Sequence, residues 1–150
     1  MSVTRTFTVT VVSTGSGNKY FIDGVQQDTV NLAEGYTYRF DQSDASNSGH
    51  PLRFSTTSDG THNSGSEYTT GVTTSGIPGY GGTAYTQITV AASAPTLYYY
   101  CTNHSGMGGQ ANTISGDSYG AFGWSSNRWG VEEEIVVGWG AKAWNDGEWD

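Results

Sequence analysis

The stretch "LYYYCTNHSGMGG", residues 97–109, holds the chain's one cysteine, Cys101, with His104 three positions on and Met107 three beyond that. A thiol, an imidazole and a thioether at this spacing, in a loop rich in Gly and Ser, fall close together on one turn. Sulfur donors combined with imidazole suit copper, held in a plane of two histidines and a cysteine with a methionine weakly on the axis. The plane therefore needs a second histidine, and only His50 and His62 remain. His50 opens the strand-like segment "HPLRF", and a β-sandwich can bring the start of one strand beside the end of another at one rim. His62 lies in the polar loop "SDGTHNSGS" and is expected to face solvent.

Each residue alone has a plainer role. Cys101 fits a small buried hydrophobe at a strand end, His104 a loop histidine bonded to a carbonyl, and Met107 a filler of irregular space. The three together, with His50 as a distal partner, favour a metal site. A thiol and an imidazole can also form a nucleophile and its base. No orienting third residue or oxyanion-hole loop accompanies them, so the chain is not expected to be an enzyme.

The elements that must position these residues read as β almost throughout. "RTFTVTVV" places Phe7, Val9 and Val11 on one face at period two. "KYFIDG" follows the turn "GSGN" and closes on Asp-Gly. "DTVNLAEGYTYRFDQ" reads as two strands about a turn at Glu34-Gly35, with Tyr36, Tyr38 and Phe40 sharing a face. "PLRFSTT", "EYTTGVTT", "AYTQITVAA" and "TLYYYC" complete the set, and Tyr98–Tyr100 should alternate between core and surface. No long amphipathic helix is present. Seven or eight short strands separated by turns predict an all-β, Greek-key β-sandwich.

Composition narrows the function. With 6 basic and 14 acidic residues the formal charge is −8. Phosphate backbones are held largely by Lys and Arg displacing counterions, so neither nucleic acid nor an anionic membrane is an expected partner. No stretch approaches the roughly 18–20 apolar residues of a membrane-spanning helix. The opening "MSVTRTFTVTVVSTGSG" lacks the basic and apolar regions of a signal peptide. Cytoplasmic synthesis is thus expected.

Composition changes near Ile114, which suggests a sandwich over residues 1–113 and a Gly/Trp-rich segment over 114–150. All five tryptophans, Trp124, Trp129, Trp139, Trp144 and Trp149, lie on a five-residue grid with one position vacant. That step matches neither one helix face nor one strand face. The segment reads either as a last strand with an ordered C-terminal flap or as a short internal repeat suited to packing or assembly, and the grid favours the repeat, since Trp is favoured at interfaces. Homo-oligomerisation, or binding to other proteins through this segment, is the expected partnership. Glu132–Glu134 is expected to be a solvated face.

His50 with Cys101-x2-His104-x2-Met107 resembles the type 1 blue copper site of cupredoxins. The ligand loop is most similar to that of amicyanins, and the His50-Pro51 pair resembles a multicopper oxidase context. The resemblance spans residues 4–113 and includes "VNLAEGYTYRFDQSD". It implies a Greek-key sandwich with His50 and His104 as equatorial nitrogens, Cys101 as thiolate and Met107 as axial ligand to copper. Pro51 stands where many cupredoxins carry Asn, and Asn103 where Pro often precedes the second histidine. "LYYYCTNHSGMGG" and "GHPLRFSTTSDGTH" are also similar to cupredoxin-like domains in structural proteins of marine bacteriophages, notably those infecting cyanobacteria. "GWGAKAW" resembles the tails of such proteins. That likeness implies a virion component of decoration, tail or fibre type, assembled in the host cytoplasm, with a copper site that is either a structural staple or a relic. A soluble blue copper electron carrier is the alternative.

Overall fold

In β1, β2 and β9 the sequence alternation becomes one buried face and one more open face, while β5, β6 and β10 bury residues on both faces. The structure is a computed structural model that describes residues 3–115. Its strands are β1 (Arg5–Thr14), β2 (Gly17–Ile22), β3 (Val25–Gln26), β4 (Val30–Ala33), β5 (Thr37–Asp41), β6 (Leu52–Ser55), β7 (Glu67–Tyr68), β8 (Val72–Ser75), β9 (Tyr85–Thr89), β10 (Leu97–Cys101) and β11 (Gly109–Ile114). They form two sheets, ordered β3-β2-β1-β5-β9-β8 and β4-β11-β10-β6-β7. The fold is all-β, as expected. The tryptophan grid and almost all of the segment 114–150 lie outside the described residues.

The core fills the space between the sheets. Phe7, Val9, Tyr20, Ile22, Tyr38, Phe40 and Ile88 from the first meet Leu32, Leu52, Phe54, Leu97, Tyr99 and Ala111 from the second. Phe40 is central: its ring stacks on Phe7 at 4.9 Å and meets Phe54 edge-on at 5.3 Å. Such pairs add about 0.5–1.5 kcal/mol beyond the area they bury.

β1 serves two partners. Arg5–Thr8 run parallel to β5, and Val9–Thr14 run antiparallel to β2. Beyond Asp41 the chain leaves β1 and makes a single 3-10 turn, Ala45–Asn47. The side chains of that turn replace the missing strand: Ser46 Oγ accepts from Val11 N, and Asn47 Nδ2 donates to Val9 O. Backbone groups on this edge are thereby satisfied, as buried peptide groups must be.

Four local expectations change. Tyr36 is 40% exposed. It sits in the turn closed by its N–H to Ala33 O, ahead of the pairing that begins at Thr37. "EYTTGVTT" is not one strand but two, β7 and β8, in different sheets. The switch comes at Gly71, whose φ of +71° and close passage against the Thr89 carbonyl exclude a side chain. β11 had no period-two signal in its sequence and forms by pairing with β10, Leu97 opposite Ala111. Tyr100, on the outer face of β10, is buried because the segment after β6 folds over it, Gly60 lying against its ring.

Candidate metal centre

Strand register builds the site. β6 and β10 are antiparallel neighbours with Leu52 opposite Cys101. Residues 50, 52 and 54 share parity, as do 97, 99 and 101, so His50 and Cys101 lie toward the same face at the end of the strand pair. The pairing continues past the strands: Thr102 N donates to Pro51 O at 3.1 Å, and Asn103 Nδ2 to Gly49 O at 2.9 Å. Pro51 has no side-chain amide to offer across this gap. The tie comes instead from Asn103 on the opposite strand.

Two of the other three ligand candidates converge on the cysteine sulfur. Cys101 Sγ lies 3.6 Å from His50 Nδ1 and 3.8 Å from His104 Nδ1. One ligand atom from each of His50, Cys101 and His104 falls within 4.8 Å of the others. The imidazole rings are tilted, centroids 4.7 Å apart. These separations suit a shared ion. A metal–sulfur bond of about 2.3 Å and a metal–nitrogen bond of about 2.0–2.1 Å, at angles between tetrahedral and trigonal, place S and N about 3.6–3.8 Å apart. Met107 is buried in the same core cluster as Cys101 and, with His104, lines an open polar depression of about 500 Å³. Cys101 and His50 are buried and His104 is exposed.

The electrostatics favour a neutral imidazole at His50, the form able to hold a metal ion. Its burial, and then the neighbouring His104, hold its pKa below the ordinary 6.5.

The backbone of His50 is fixed by a buried polar knot. Its carbonyl accepts from Tyr20 Oη at 2.7 Å and from Gln42 Nε2 at 2.7 Å. Gln42 Nε2 also donates to Asn47 Oδ1, while Gln42 Oε1 accepts from Leu52 N at 2.9 Å. Burial, and then the adjacent Cys101, raise the Tyr20 phenol well above its ordinary range, so it stays protonated as a donor. Gln42 and Asn47 are 1% and 0% exposed, and all their polar atoms have partners. The sequence held one signal for this knot: Gln42 shares parity with Tyr38 and Phe40, so it is a polar residue placed to point inward.

His62 stands outside the cluster of His50, Cys101 and His104. Its ring is exposed, as expected, but its Nε2 lies 2.7 Å from Cys101 O, and a carbonyl partner requires that nitrogen to carry the proton. Among the described residues, no helix is long and apolar enough to cross a membrane. The sequence matches no protein-family model and no curated protein.

Proposed function

We propose that the chain is a non-enzymatic, copper-binding module on a cupredoxin-like fold that serves as a structural component of a bacteriophage virion. The observation that carries the metal part is the convergence of His50, Cys101 and His104 from two strand ends on one point. Two imidazoles and a thiolate, with a thioether lining the same depression as His104, form a donor set suited to copper. When bound, copper would supply either a one-electron couple or a cross-link between the ends of β6 and β10. The virion part rests on the sequence likeness of the "LYYYCTNHSGMGG" and "GHPLRFSTTSDGTH" segments, with assembly assigned to the tryptophans at 124, 129, 139, 144 and 149.

A soluble blue copper electron carrier is the second reading. It is favoured by the exposure of His104, which would leave one ligand ring open to a redox partner while Cys101 and His50 stay enclosed.

Two experiments test these parts separately. Protein purified from copper-supplemented cells should carry close to one equivalent of metal, and His50→Ala and Cys101→Ala should each lose it. Metal-free wild-type protein under the same conditions would refute the copper site. Mass spectrometry of purified particles of a phage encoding the chain should find it in many copies. Its absence from the particles would refute the virion role.

A further inference from the structure

The segment between β6 and β7 grips the ligand loop at two points. Asp59 Oδ1 accepts from Gly106 N at 2.9 Å, and His62 Nε2 donates to Cys101 O at 2.7 Å. Gly106 lies between His104 and Met107, and Cys101 supplies the sulfur. The two bonds therefore act on the backbone on either side of the ligand histidine. On the other side of the loop, Lys19 Nζ and Gln27 Nε2 donate to Gly106 O at 2.7 and 3.2 Å. The peptide units at Gly106 are thus held through both their N–H and C=O groups by residues 47 to 87 positions away.

The gripping segment is itself held in an unusual shape. Asp59 has φ +65° and Ser64 φ +62°, the left-handed region that non-glycine residues seldom adopt. Asp59 sits at the start of the 3-10 turn Gly60–Asn63 but makes no capping bond there, and its carboxylate goes to Gly106 instead. Strained backbone persists where surrounding contacts over-determine it, and such positions cluster at functional sites. Here the contacts are Gly60 against the Tyr100 ring and His62 edge-on to the same ring at 6.3 Å.

We infer that Asp59 and His62 are positioning residues for the metal centre, holding the Cys101–Met107 loop in its ligand-presenting conformation before any ion arrives. This reading rests on the metal site proposed above. A loop already in place binds without first losing its conformational freedom, which is the general gain from pre-organised sites.

The test uses the full chain with Asp59→Ala and His62→Leu, beside the conservative Asp59→Asn and His62→Gln. In metal-free protein, exchange is read at the Thr102 and Tyr20 amides, which bond to Pro51 O and Met107 O and lose no partner in any variant. Both amides should exchange faster in the disruptive variants by about 10-fold or more, the equilibrium worth of one well-made hydrogen bond, with the larger effect expected where the charged Asp59 carboxylate is lost. Cu(II) affinity should fall by about 10–100-fold, as for other outer-shell ligand supports. The conservative variants should recover both properties. Unchanged amide exchange in Asp59→Ala and His62→Leu would overturn the inference. If wild-type protein bound no copper, the proposed function would fail, and the exchange comparison would still decide whether these two residues preset the loop.

Discussion

Cys101 Sγ and His50 Nδ1 lie 3.6 Å apart although 51 positions separate them in sequence. Antiparallel pairing of β6 with β10 brings them to one end of the sandwich, and the knot of Tyr20, Gln42 and Asn47 fixes the backbone from which His50 projects. The candidate metal site is thus an extension of the sheet rather than an addition to it.

Gln42→Met keeps the bulk of the knot and removes its polarity. Leu52 N and Asn47 Oδ1 then lose their partner in the core. Each stranded group costs about 1–3 kcal/mol. A stability loss of at least about 2 kcal/mol is expected in urea unfolding, at unchanged slope. Copper affinity should fall by about 10–100-fold, because His50 loses its support. A variant as stable and as tight-binding as the parent would contradict this assignment.

His50 gives a pH dependence of defined sign. Its native pKa is below the ordinary 6.5, so the folded protein binds fewer protons there than the unfolded chain. The folded state therefore holds its full stability above the ordinary histidine range. It loses some as pH falls from that range through the lower native value. In metal-free protein, NMR titration of the His50 ring should give a midpoint under 6.5. His104→Asn removes one source of repulsion and should move it upward. A midpoint at or above the ordinary value, or one indifferent to His104→Asn, would contradict the environment described.

Gly60→Ala tests the covering of Tyr100. A Cβ there would stand 2.6 Å from ring carbons of Tyr100, at a backbone φ of +53°. Gly24→Ala is the control, since its φ is +84° but nothing lies within 4 Å. The control should lose about 1–2 kcal/mol from left-handed backbone alone. Gly60→Ala should lose about 1–3 kcal/mol more from overpacking. Equal losses would mean that the segment does not bear on the Tyr100 ring.

Much of this arrangement could be read before folding. The Cys101, His104 and His50 set followed from residue type and spacing. The principal strands followed from alternation, because each turns one face to the core. What was hidden depended on contacts between distant segments. β11 carries only Gly109, Ala111 and Thr113 on the parity where a strand pattern would show bulky apolar residues, and only its partner β10 makes it a strand. Tyr100 alternates as an outward residue but is covered by a loop that no periodicity announces. Asp59 and His62 grip the ligand loop through single hydrogen bonds spanning 47 and 39 positions, which leave no mark on spacing.

The most direct test of the central claim is the visible absorption spectrum of the purified protein during titration with Cu(II), beside Cys101→Ser. An intense thiolate-to-copper band is expected, saturating at one equivalent and absent from the Cys101→Ser protein. A folded protein that shows no such band, or a band that survives loss of Cys101, would contradict that claim.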